Sequence, residues 1–244
     1  MRVLASDRIE GDRVLAILLG DAGEPAAQAN GGDWWPKPLC VTLMSTPGLA
    51  LLTLRYDAAN QRLRIEKDRQ VLVDAGLDDA GRAEIAAAVE AYVRTLDVGP
   101  DLTRPGRTPF RVAGDGVTPR FQDCSAGRIT LHSRASLRAL AASLNDPALD
   151  ELRFRSNIAI DGIEAWEELG WSGRTLHVGE VEFEVFAPAV RCLATHVDLR
   201  RGVRDHDMLN TLPGLNGLEK PSFAISLLPR NEGAIRLGDP VRVE

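Results

Sequence analysis

The segment at residues 175–188, TLHVGEVEFEVFAP, constrains this chain more than any other. Two alternating runs meet at a turn near Gly179, with Val181, Phe183 and Val185 facing one way and Glu182 and Glu184 the other. This is the period-two pattern of a β-hairpin with one apolar face. Such a face must be covered, and the sequence supplies further strands to share a core with it. Short apolar or alternating runs recur at residues 14–19 (VLAILL), 39–44, 49–56, 62–66 (RLRIE), 128–132 (RITLH), 222–228 and 234–243. Turn-rich stretches such as GDAGE and STPG separate them. Many short strands around one core predict a mainly β, α+β fold containing a barrel.

Two helices interrupt the strands. Across residues 78–96, Ile85, Val89, Tyr92, Val93 and Leu96 fall at helical spacing behind Asp78 or Asp79 as N-cap. In SRASLRALAASLND, Ser133 is placed to cap a helix whose stripe is Leu137, Leu140, Ala141 and Leu144. A short amphipathic segment is expected at residues 163–169, and residues 26–37 read as a loop. Trp34 and Trp35 in that loop, followed by Pro36 and Pro38, read as space-filling over a core edge rather than as the lining of a cleft. The proline- and glycine-rich stretch at residues 99–119 suits an irregular connection. It divides the chain into an N-terminal β-rich part, residues 1–115, and a C-terminal part, residues 116–244.

A chain of 244 residues with 44% hydrophobic content buries a substantial core without a staple. Its net charge of −6 gives no global support to nucleic-acid or anionic-membrane binding and points to a small-molecule partner. Cys40, Cys124 and Cys192 are an odd number with no zinc-finger spacing, which suits a reducing cytoplasm. No stretch approaches the length of a membrane span.

The chemistry-bearing residues concentrate between residues 151 and 198. If RFRSN at residues 153–157 is extended, Arg153, Arg155 and Asn157 share one face, and two guanidiniums beside an amide invite an anionic tenant. VRCLATHVD at residues 190–198 brings Cys192 to this neighbourhood. His196 falls on the same face of a regular strand, where it would stabilise a thiolate. Judged by residue type alone, Cys192 is an inert buried cysteine and His196 a satisfied or exposed histidine. Asp198 reads as a turn-former, Arg200, Arg201 and Arg204 as solvated, and Cys40 and Cys124 as structural or incidental. His132, His177 and His206 show no ligand spacing. The polar stretch after Asp198 reads as a mobile or ligand-covering loop.

Three ordered blocks, RFRSNIAIDG at residues 153–162, GEVEFEVFAPAVRCLATHVD at 179–198 and GAIRLGDPVRV at 233–243, together resemble the MOSC domain. SRASL at residues 133–137 precedes them in the matching place. The first half, with GDR at residues 11–13, looks like a shortened form of the β-rich domain that precedes MOSC in amidoxime-reducing proteins. The resemblance implies a β-barrel and a molybdenum cofactor (a molybdopterin) whose metal is ligated by Cys192 of the Arg191-Cys192 pair. Thiolate is a soft ligand suited to that metal. It further implies a cofactor-binding set of Arg153, Arg155 and Asn157 on the RFRxN motif, with Arg191, Ser133 and, from the N-terminal part, Arg13.

Ser156 stands where relatives carry proline, Ala189 where many carry a second cysteine, and His196 where some carry threonine. A lysine-serine segment that helps bind the phosphate elsewhere has no counterpart, so the site is completed differently or the true start lies upstream. The activity implied is reduction of N-oxygenated compounds, Cys192 being the catalytic residue, with electrons from a separate protein, since no iron-sulfur or flavin motif is present. The alternative is a sulfur carrier holding a persulfide, supplied by a sulfur donor, or passing on a cofactor, with Cys192 as its functional thiol.

Overall fold

A computed structural model describes residues 1–4, 8–27, 33–123 and 127–244. The fold is mixed α+β and mainly β, with three α-helices among the described residues and a six-stranded sheet that curls into a half-barrel. The chain divides into two compact units. One comprises Met1–Glu10, Gly127–His196 and Asp205–Glu244, and the other Gly11–Ala126 and Val197–Arg204. No described helix is long and apolar enough to cross a membrane.

In the unit containing residues 11–126, strands Leu52–Asp57, Arg62–Lys67 and Gln70–Gly76 form an antiparallel meander. The helix Asp79–Val93 (α1) buries Ile85, Ala86, Val89 and Val93 in one cluster with Leu63, Ile65, Val73 and Ala75. Asp78 caps α1 as expected, its Oδ1 accepting the Gly81 N–H at 2.7 Å. Gly81 also permits close packing, because a Cβ there would lie 2.3 Å from the Gly76 carbonyl oxygen. Strand Ala16–Leu18 pairs with Arg111–Ala113.

The expectation of strand at residues 39–44 is corrected. Pro38 sits in the first turn of a short 3-10 helix, Lys37–Leu39, and beyond it only Cys40 bridges Leu18. A second such helix, Pro47–Leu51, delays the next strand to Leu52. Trp34 and Trp35 fill space here, their indole N–H groups donating to the carbonyls of Gln122 and Gly23, while Trp35 stacks with Phe121. Cys124 lies outside the described residues.

The other unit is organised on the six-stranded sheet. Its order is Ile158–Ile160, Ile129–Ser133, Ser222–Pro229, Val181–Val190, Thr175–Val178, Val241–Val243. The first pair is parallel, joined through the helix Arg134–Ser143 (α2), and the rest are antiparallel. The hairpin at Gly179 is present with Phe183 opposite Leu176. Val181, Phe183 and Val185 are wholly buried, as the alternation requires, and each contributes about 1.5–3 kcal/mol on burial. Ser133 caps α2 by accepting the Ala135 N–H at 3.0 Å. The short amphipathic segment becomes a 3-10 turn at Glu167–Trp171.

The polar stretch after Asp198 is not a loop throughout. Met208–Asn216 forms a third helix (α3), capped by Asp207 and inserting Met208 and Leu212 fully into the core. The sparse apolar residues there sit four apart, which is enough for one buried face.

Candidate functional site

RFRSN is not extended. Asp150 accepts the Leu152 N–H at 2.9 Å and starts a 3-10 turn, Glu151–Phe154, which ends at Arg155 in the left-handed region, φ 49°. The expected alternation therefore fails, because an aspartate cap at the preceding position favours a turn over a strand. Arg153 and Phe154 both go inward while Arg155 is exposed. Arg153 Nη1 and Nη2 donate to the two carboxylate oxygens of Asp205 at 2.6 and 2.8 Å, and Nη1 also reaches the His196 carbonyl at 3.4 Å. Asn157 Oδ1 accepts from the N–H and hydroxyl of Thr130, and its own N–H donates to the Thr130 carbonyl. This exchange leads into the parallel strand pair.

Cys192 lies two residues past the end of the strand Val181–Val190. The chain leaves the ladder there because Thr195 turns back on it, both its N–H (3.1 Å) and its hydroxyl (3.0 Å) donating to the Cys192 carbonyl. The resulting 3-10 turn, Leu193–His196, overturns the regular strand that would have put His196 on the face of Cys192. The His196 ring is instead buried and its Nε2 accepts the Leu209 N–H at 3.3 Å, near the start of α3. A neutral ring in this arrangement carries its proton on Nδ1.

Arg191 is held by main-chain acceptors. Its Nε donates to the Phe223 carbonyl at 2.6 Å, its Nη1 to the Phe154 carbonyl at 3.1 Å, and its backbone N–H to the Pro221 carbonyl at 2.8 Å. Its guanidinium lies 5.8 and 6.0 Å from the Phe154 and Phe223 ring centroids, which stack on each other at 3.8 Å.

The two described cysteines are both half-buried. Cys40 is half-buried, its thiol directed to the Pro36 carbonyl at 3.8 Å, and burial pushes its pKa up to about 11. It stays protonated at neutral pH, as a structural cysteine should. Cys192 is half-buried just before the 3-10 turn Leu193–His196, and the nearby Val190 and Leu193 are exposed.

The remaining site residues lie apart from these contacts. Ser133 is completely buried, its hydroxyl used as the α2 cap and its N–H donated to the Glu168 carboxylate at 3.1 Å. Arg13 belongs to the other unit, where it pairs with Asp12 and takes a turn conformation, φ 52°. Asp198 does fix its own turn. Its carboxylate accepts from the N–H groups of Arg200 and Arg201, and the Arg201 guanidinium is the main cause of a pKa lowered to about 2.

Three contributors were not foreseen. Asp205 was hidden in the polar stretch, where nothing marks it as the partner of an arginine 52 positions earlier. Glu168 is a fully buried carboxylate held by Ser133 and Ser136, its pKa raised chiefly by burial. Phe223 lends its ring to the aromatic stack and its carbonyl to Arg191.

A family model for the MOSC domain matches residues 119–242, just over half of the chain. Over 187 residues the chain is 33% identical to mitochondrial amidoxime reducing component 2 of Rattus norvegicus, covering 68% of this chain and 54% of that protein. Over 119 residues it is 39% identical to the molybdenum cofactor sulfurase of Drosophila grimshawi, covering 46% of this chain and 15% of the sulfurase. The chain thus spans about half the length of the first relative and a small part of the second.

Proposed function

The chain belongs to the MOSC domain family, and from that premise we propose that it binds a molybdenum cofactor through Cys192 and serves as a reductase, or reductase component, for N-oxygenated compounds. The observation that carries this reading is the setting of Cys192. It is a half-buried thiol at the start of a turn anchored on both sides, by the carbonyl contacts of Arg191 before it and by Thr195 after it. The similarity to an amidoxime reducing component supports the substrate class.

The donor chemistry suits the cofactor at this point. Cys192 offers one soft thiolate to the metal, and Arg155, exposed at the end of the 3-10 turn Glu151–Phe154, offers a fork for phosphate or a pterin edge. Arg153, Asn157 and Arg191 shape the walls through their hydrogen bonds to Asp205, Thr130 and the Phe154 and Phe223 carbonyls. Ser133 supports α2. When bound, the cofactor supplies the two-electron redox chemistry, with electrons from a separate transfer protein.

The test is molybdenum and pterin content after expression alongside the cofactor's biosynthetic enzymes. Stoichiometric molybdenum that disappears in Cys192→Ser supports the proposal. Protein without molybdenum, or unchanged content in Cys192→Ser, overturns it. The similarity to a molybdenum cofactor sulfurase favours one second reading, a persulfide carrier on Cys192. That reading requires an added sulfur on Cys192 by mass spectrometry after treatment with a cysteine desulfurase, and no turnover with a reduced donor.

A further inference from the structure

Arg191 precedes the proposed ligand directly, and three main-chain carbonyls, fixed parts of the fold, accept hydrogen bonds from it. Its Nε and Nη1 donate to the carbonyls of Phe223 and Phe154, and its N–H to that of Pro221. These acceptors come from two separated segments, the 3-10 turn Glu151–Phe154 and the entry into the strand Ser222–Pro229, with Pro221 just before it.

The second segment departs from regular strand at this point. Val190 pairs with Ser222 and Pro188 with Ile225, so Phe223 and Ala224 together face Ala189 alone, a bulge of two residues against one. Ala224 is wholly buried and left-handed, φ 72°, a conformation that costs any residue with a Cβ. The bulge interrupts the ladder where the Phe223 carbonyl meets Arg191. A strained backbone is kept where the surroundings over-determine it, and here they include a charge-assisted hydrogen bond of 2.6 Å.

We propose that Arg191, seated by the Ala224 bulge, is a positioning residue that fixes the direction of the Cys192 thiol before any cofactor arrives. The inference rests on Cys192 being the functional thiol. Arg191 acts through the backbone, since Cys192 is the next residue and the anchored guanidinium prevents the start of the turn from swinging. A planar fork with several fixed donors is required, so lysine is not an equivalent.

The test uses the full chain without cofactor, with Cys40→Ala and Cys124→Ser leaving Cys192 as the sole site for a nitroxide spin label. The parent is expected to give a broad, immobilised spectrum. Arg191→Gln and Arg191→Lys should lose the immobilised component while keeping native circular dichroism. Ala224→Gly, which tolerates a positive φ, should retain it, and Ala224→Val should lose it. A folded Arg191→Gln whose label stays as immobilised as the parent's overturns the proposal, whether or not Ala224→Val folds. Because no molybdenum enters the measurement, failure here is distinct from failure of the cofactor assignment.

Discussion

Asp205 holds Arg153 with both carboxylate oxygens, at 2.6 and 2.8 Å, and the two side chains are only 15% and 4% exposed. An arginine so placed is tied first to its own fold. Asp205→Ala leaves a buried guanidinium without its counter-charge and is expected to cost about 3–5 kcal/mol. Replacing both partners by apolar residues, Arg153→Met with Asp205→Leu, is expected to recover most of that loss. Urea unfolding of the two variants decides the matter, and a double variant no more stable than the single one contradicts it.

Glu168 gives a dependence on pH of unusual sign for a carboxylate. Burial raises its pKa above the ordinary value of 4.5, so the folded state holds its proton more tightly than the unfolded chain. Its contribution is most favourable below pH 4.5 and declines as pH rises through the raised value. Glu168→Gln removes this decline, and urea midpoints for the two proteins should draw apart as pH rises from 4 to 8. Parallel curves would falsify the assignment.

His132 works in the opposite direction. Its ring is buried, and burial lowers its pKa from 6.5 although a Glu151 carboxylate oxygen lies 3.4 Å from Nε2 and acts in the other direction. The folded state resists the proton that the unfolded chain accepts, so stability is full above pH 6.5 and falls as pH drops below it. His132→Phe keeps a ring against Phe223, whose centroid lies 5.4 Å away. The variant should gain on the parent at pH 5 relative to pH 8, read as the shift in thermal midpoint.

In the other unit, Gly81→Ala is expected to cost about 1–3 kcal/mol through overpacking, since the added Cβ meets the Gly76 carbonyl oxygen at 2.3 Å. Asp78→Ala removes only the cap and should cost about 1 kcal/mol. A guanidinium unfolding curve that ranks the two variants the other way would show that α1 can shift to relieve the contact.

Elements with their own periodicity were readable from residues alone. The hairpin at Gly179 and α1 have patterns that one local period explains, and Asp78 and Ser133 announce their caps. The family resemblance singled out Cys192 as the functional thiol. The geometry around it was not readable, because it depends on local turns that compete with strand. Asp150 bends RFRSN and Thr195 bends the chain after Cys192. The partners of the arginines lie far along the chain, Asp205 for Arg153 and Phe223 for Arg191. No windowed pattern reports a contact across 52 or 32 residues.

The interleaving of the two units has a genetic consequence. The family match starts at residue 119, yet the unit that holds Cys192 also takes in Met1–Glu10, while Val197–Arg204 groups with the other unit. Strand Arg2–Leu4 pairs with Gly233–Ala234, and Arg204 donates to the Met44 carbonyl at 2.6 Å. A gene fusion carrying residues 119–242 alone would therefore export an unsealed sheet and an orphaned hairpin. In this chain the matched span is not a cassette, because its boundaries coincide with neither compact unit.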